Sequence, residues 1–267
     1  MGEETRSILD ELVATRRRII EVLFEIDEIR LQVNPQILAE YAGAVGYLEN
    51  DLYSWQLKAR RLRREATLLR AAVNRGETLS NEELDAALDV EFQAWEEELS
   101  RRMADQLARL EYLTGSRELS PSETAEAKRL HRLLVKRLHP DIHPGQSDEE
   151  RRFFAIAQAA YKAGDLQSLE AVATATEYLD EPLGSVGAGG GERDAAVDLA
   201  MAEVQLNVLL GQLEELKSGH PYILRELLGS PRELARVRRD LKARIAEQRK
   251  VAEAYEEAIR ELREEKR

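Results

Sequence analysis

Cysteine is absent from this 267-residue chain. Disulfides, thiolate metal sites and cysteine nucleophiles are thereby excluded. Aromatic residues make up only 5%, too few for cores built on large rings. No apolar run approaches the roughly 20 residues that a membrane-spanning helix needs. The stretch from Met1 to Thr15 has no basic segment followed by an apolar one, so no secretory leader is expected and a cytoplasmic setting is. Net positive charge is lacking too. The formal net charge is -12, a poor balance for wrapping nucleic acid or lying on anionic lipid.

What the chain does contain is charge and helical periodicity. Charged residues are 34% and hydrophobic ones 43%, a composition suited to helices with narrow apolar stripes and wide solvated faces. Leu12, Ile19, Ile26 and Val33 repeat at seven, and Ile8, Val22 and Ile29 form the companion register. A second seam carries Tyr41, Leu48, Trp55, Leu62 and Leu69, interleaved with Val45, Leu52, Ala59, Ala66 and Val73. Alternating spacings of four and three mark a coiled-coil seam. Between the two seams stands Asn34-Pro35. Proline lacks an amide donor and restricts its predecessor, so the reading is two heptad helices folded back as an antiparallel hairpin. Trp55 and Trp95 are expected in coiled-coil or bundle seams, Trp95 on the third helix.

Later helices announce their starts. Ser80, Ser120, Ser147 and Ser230 each precede a glutamate by three residues, the pattern in which two side chains satisfy orphan amides reciprocally. Pro121 and Pro231 fall at first helical positions, where the missing donor costs nothing. Helices are therefore expected near 81–113, 121–138, 148–163, 165–179, 194–217 and 231–265, the last two as a second hairpin. The run from Pro182 to Gly191 holds five glycines and reads as a flexible linker. No lysine followed by serine or threonine comes after it, so it is not a phosphate-binding loop. No strand pattern is found. The expected class is all-α, divided as 3–113, 114–179, a linker at 180–193, and 194–267.

One segment carries a local reversal of charge. Between Ala125 and Leu138 there are five basic residues and one acid, Glu126. Leu130, Leu133, Leu134 and Leu138 cluster on one helical face, with Lys128, Arg129, Arg132 and Lys136 on another. His139-Pro140-Asp141 follows, then a turn at Pro144-Gly145 and a helix containing Phe153, Phe154, Ala160 and Tyr161. This arrangement resembles the J-domain of the DnaJ family of co-chaperones, which has a basic helix, an HPD tripeptide in a loop, and a helix ending in an alanine-tyrosine pair. The resemblance covers residues 112–175.

It implies a helical hairpin with His139, Pro140 and Asp141 exposed at its tip. It further implies that this tip, with Arg129, Arg132, Lys136 and Arg137, docks on a DnaK-class seventy-kilodalton heat-shock chaperone and stimulates its ATP hydrolysis. The flanking coiled coils would choose client or partner. The chain departs from the family at His131, where a tyrosine is usual, and at Ile142, where a basic residue is usual. The family's first helix has only an echo in Tyr112-Leu113-Thr114-Gly115. No glycine-phenylalanine region or cysteine repeat follows.

Other chemistry is weaker. His139, Asp141 and His143 are close in sequence, but no fourth metal ligand accompanies them. The acidic run from Glu96 to Glu98 reads as a solvated face. Nothing joins a nucleophile, a base and an oxyanion donor, so no enzyme and no cofactor are expected. Arg60, Arg61, Arg63 and Arg64 give nucleic-acid binding a minor place. The competing reading is an adaptor in which the hairpin is a retained fold element and the coiled coils act, by homodimerisation among other routes.

Overall fold

The computed structural model describes residues 3–77, 80–115, 119–179 and 192–264. The expected linker at 180–193 lies outside the described residues except for its last two positions. Every regular element among the described residues is helical, so the chain is all-α. The elements are α1 (Glu3–Glu28), α2 (Asn34–Tyr41), α3 (Tyr47–Arg75), α4 (Asn81–Gly115), α5 (Pro121–Leu138), α6 (Asp148–Ala163), α7 (Leu166–Ala175), α8 (Glu192–Ser218), α9 (Leu224–Leu228) and α10 (Pro231–Glu264). None of them is long and apolar enough to cross a membrane.

The break expected at Asn34-Pro35 does not occur. A π-helical turn at Ile29–Val33 joins α1 to α2, and Asn34 N–H donates to the Ile29 carbonyl across it. The wider turn removes the clash that a proline ring makes with the carbonyl four residues earlier in a regular α-helix. A second π-helical turn, Ala42–Gly46, joins α2 to α3. Carbonyls loosened there find side-chain donors: Arg238 Nε bonds to Ala44 O at 2.7 Å and Gln106 Nε2 to Ala42 O at 3.4 Å. Such insertion into the ladder is a recognised way for a helix to leave regular geometry.

The chain forms two compact units, one of Met1–Ile37 with Gly115–Ile223, the other of Leu38–Thr114 with Leu224–Arg267. Both are discontinuous in sequence, unlike the consecutive segments expected. In the first unit α1 runs along α8, and α5, α6 and α7 pack mutually, with α5 also against α1. Leu12, Ile19, Val22 and Ile26 of α1 share one core with Leu134 and Leu138 of α5, Phe154 and Tyr161 of α6, Leu169 of α7 and Leu209 of α8. In the second unit α3 pairs with α10: Leu48 and Leu52 of α3, with Val45 of the preceding π-helical turn, share a core with Leu241 and Ile245. Leu84, Leu88 and Phe92 of α4 join Leu57, Leu69 and Ile259 in a second cluster of that unit. The two expected hairpins are thus replaced: α1 takes α8 as its partner and α3 takes α10. Trp55 is half-buried at this seam with Lys58 and Arg249 over its ring. Trp95 is not in a seam; it is exposed, edge-on to Phe92, with the Arg60 guanidinium 4.5 Å from its ring.

The capping serines behave as their spacing predicts. Reciprocal bonds form between Ser80 and Glu83, Ser120 and Glu123, and Ser147 and Glu150. At Ser230 the Glu233 amide donates to Oγ at 3.4 Å. Since Ser147 both ends a loop and starts α6, Ser147→Ala should lower the unfolding free energy by about 1 kcal/mol. Urea unfolding checks this; no change would mean that the loop, not the cap, fixes the start of α6.

Candidate functional site

The tip of the α5–α6 hairpin is built from backbone upward. His139 ends α5 in extended conformation, with its N–H bonded to Val135 O. Pro140 then cannot continue the helix. The amides of Ile142 and His143 both return to His139 O, at 3.0 and 2.9 Å, closing a tight turn. The His139 ring reinforces it. Nδ1 accepts from Asp141 N–H at 3.1 Å, and the ring stands edge-on to Phe154 with centroids 5.1 Å apart. Nδ1 must be unprotonated to accept. Burial lowers the ring's pKa, with the Asp141 carboxylate opposing. Gln146, buried, donates from Nε2 to Leu138 O and ties the end of the loop to the end of α5. His143 Nε2 lies 2.8 Å from Lys136 O; a carbonyl only accepts, so this nitrogen carries the proton. Both histidine rings therefore serve backbone groups rather than converging as ligands.

The hairpin is antiparallel, because His131 stacks on Tyr161 while His139 meets Phe154. Pro140 and Asp141 are exposed at its end. The apolar residues of α5 face inward as expected: Leu134 and Leu138 are fully buried. On the outer side, Arg129 is exposed and pairs with Glu126 at 2.7 Å. Arg132 is exposed, with its guanidinium 4.5 Å from the Phe24 ring of α1. Lys128 bonds Glu28 at 2.5 Å, and Lys136 is half-buried.

Arg137 does not belong to this outer set. It is 5% exposed and donates to Ala173 O at 2.6 Å and Thr176 Oγ1 at 3.3 Å. It thus closes the C-terminus of α7, where carbonyls lack helical donors. Its spacing gave the signal: position 137 is three beyond Leu134 and seven beyond Leu130, on the apolar face. His131, where the family has a tyrosine, is wholly buried. Its Nε2 lies 3.6 Å from Asp27 Oδ2, and neither ring nitrogen has a hydrogen-bond partner in the protein. Burial lowers the His131 pKa to about 4 and raises that of Asp27 to about 6.

Two further residues hold the site in ways that were not legible beforehand. Gln205 of α8 donates to Asp141 O at 2.5 Å. Ile142 packs against the shared core of the first unit. Asp141, Ile142 and Pro144 form one wall of a groove of about 450 Å³ whose other walls are Arg16, Ile19 and Ile20 of α1 and Asp198, Met201 and Gln205 of α8. Among the described residues no group of three His, Asp or Glu side chains is placed to hold a metal ion. Side chains of Tyr112 to Gly115, the echo of a first helix, lie outside the described residues. Comparison with protein-family models, with curated proteins and with solved structures found no match to this chain.

Proposed function

We propose that the α5–α6 hairpin acts as a J-domain-like co-chaperone element whose exposed Pro140-Asp141 tip, set by His139, engages a DnaK-class chaperone. The observation that carries the reading is the tip itself. A histidine locks the turn through its own ring, a proline ends the helix, and an aspartate is left facing solvent. A backbone turn fixed in this way presents the aspartate to a partner with less ordering left to do. Arg129 and Arg132 are exposed on the same helix, roughly two to three turns before the tip; with Arg129 paired to Glu126, Arg132 is the one whose positive charge would steer encounter with an acidic partner. Hydrolysis would take place on the chaperone, and this chain would act by binding.

The test is steady-state ATP hydrolysis by a bacterial DnaK-class chaperone with and without the full chain. Wild type should stimulate turnover, and Asp141→Asn should abolish stimulation without lowering thermal stability, since its carboxylate is exposed. Arg132→Ala should weaken it. Wild type without any effect, or Asp141→Asn as active as wild type, would overturn the reading.

A second reading has its own observation. Gln205 holds the Asp141 carbonyl, while Glu28 and Phe24 engage Lys128 and Arg132. The α1–α8 pair therefore fastens the very surface that would dock. An adaptor in which this hairpin is a structural part would look the same, and an inactive wild type in the ATPase assay would favour it.

A further inference from the structure

Helix α8 uses one face to pack on α1 and leaves the other uncovered. Ala195, Ala202, Leu209 and Leu213 are buried in the core of the first unit. On the opposite side, Val197, Met201, Val204 and Val208 are 55%, 69%, 65% and 57% exposed. Their spacing of four, three and four is that of a coiled-coil seam. Scattered exposed apolar residues need no explanation, but a contiguous stripe marks an interaction surface. Ala200 and Asn207 fill the gaps in this stripe, so no charge interrupts it over three turns.

The charges that α8 itself places around the stripe are of one sign, and α1 adds Arg16 at one border. Between Asp194 and Leu216 there is no lysine or arginine, whereas Asp194, Asp198, Glu203, Glu214 and Glu215 lie in that span. The stripe also opens onto the groove beside the hairpin tip. Met201 lines it, its floor is Ile19, Ile20 and Ile142, and its rim carries Asp141 and Asp198, the latter 3.6 Å from Arg16. A bulky apolar side chain has room there at one end of the seam.

We propose that this face of α8 is a docking site for an amphipathic helix with an apolar stripe and lysine- or arginine-rich flanks. The apolar residues of such a helix would interleave with Val197, Met201, Val204 and Val208, and its basic flanks would meet the acidic borders. A second copy of α8 fits less well, because its flanks repeat the same acids and like charges along a seam oppose pairing. The proposal does not depend on chaperone binding.

The test uses the full chain and two fluorescein-labelled synthetic helices of about 20 residues, a length that spans the stripe. Both carry leucine at heptad positions; one is flanked by lysine, the other by glutamate. Fluorescence anisotropy should show the lysine peptide binding, with the glutamate peptide weaker by roughly tenfold or more. Met201→Glu with Val204→Glu should abolish binding, and these exposed positions leave the fold intact, which circular dichroism checks. Glu203→Lys, which spares the stripe, should weaken the lysine peptide by roughly threefold at low salt and less at high salt. Equal binding of the two peptides, no binding, or binding indifferent to the Met201 and Val204 changes would overturn the proposal. So would a concentration-dependent dimer in sedimentation that the double variant abolishes, since the face would then belong to a second copy.

Discussion

Arg137→Ala should lower the unfolding free energy by about 3 kcal/mol, while Arg132→Ala, five residues earlier on the same helix, should change it by less than about 0.5 kcal/mol. The difference follows from where the two guanidinium groups lie. Arg137 is buried and its Nη1 serves Ala173 O and Thr176 Oγ1. Removing it leaves the Ala173 carbonyl, at the end of a buried helix, without that charged donor, and also leaves space where the side chain stem had packed. Arg132 is exposed over the Phe24 ring, a contact worth about 0.5–1 kcal/mol at such sites, part of which water replaces. Urea unfolding of the two variants measures both values. Arg137→Lys should recover only part of the loss, because both bonds come from one nitrogen, Nη1, which an ammonium could imitate, but lysine is shorter and its ammonium is more strongly hydrated and so costlier to bury. If Arg137→Ala were as stable as wild type, the α7 terminus would have another way to satisfy its carbonyls. The same pair separates fold from docking: a loss of chaperone stimulation in Arg137→Ala would track its stability, and a loss in Arg132→Ala would not.

The second large effect is hidden at neutral pH and emerges on acidification. His131 titrates near 4 in the folded chain against 6.5 when free. The group's folded pKa is depressed, so the unfolded chain takes up a proton that the folded chain refuses. Stability is lost as pH falls from 6.5 toward 4. Asp27 is shifted the other way, to about 6 from 3.8. Its folded pKa is raised, so stability is gained as pH falls from 6 toward 3.8 and lost again as pH rises. Burial causes both shifts, with Gln158 and Arg30 restraining that of Asp27. The two windows overlap between about 4 and 6, and there the opposite slopes largely cancel. Asp27→Asn removes one of them. It should keep an oxygen for Gln158, whose Nε2 lies 3.4–3.5 Å from the carboxylate. Relative to wild type, the variant should lose about 3 kcal/mol of stability between pH 6.5 and 4. Urea unfolding at several pH values reads the difference, and nuclear magnetic resonance of the His131 ring reports its titration directly. Parallel stability curves for the two proteins would mean that burial does not raise the Asp27 pKa, and a variant curve that stays flat between pH 6.5 and 4 would mean that His131 is not held neutral by its surroundings.

Much of the local structure was legible because its causes are local. A serine three residues before a glutamate makes a helix start wherever it is placed, and reciprocal bonds are found at Ser80, Ser120 and Ser147. Apolar spacing on α5 placed Leu134 and Leu138 inward. Proline at 140 ended that helix, and His139, Pro140 and Asp141 form a turn at its end. The all-α class followed from periodicity without any strand alternation.

Partner choice did not follow, because an amphipathic stripe states that a helix needs a partner without stating which. The seams at Leu12–Val33 and Tyr41–Val73 could satisfy one another as a hairpin, given a break at Pro35. The π-helical turn at Ile29–Val33 removed the break, and residues nearly two hundred positions away supplied the partners: α8 for α1 and α10 for α3. Tertiary packing also decided the fates of individual polar side chains. Arg137 and His131 sit among basic neighbours in sequence, yet the arrival of α7 over one and of α1 and α6 over the other buries them. Gln205, remote from the hairpin along the chain, reaches Asp141 only because α8 lies beside α1. The sequence by itself therefore determined the helices, their ends and the turn at 139–141, since those depend on bonds between near neighbours. The tertiary structure alone decided which stripes close on each other and which basic residues face water, since those depend on contacts among elements far apart in the chain.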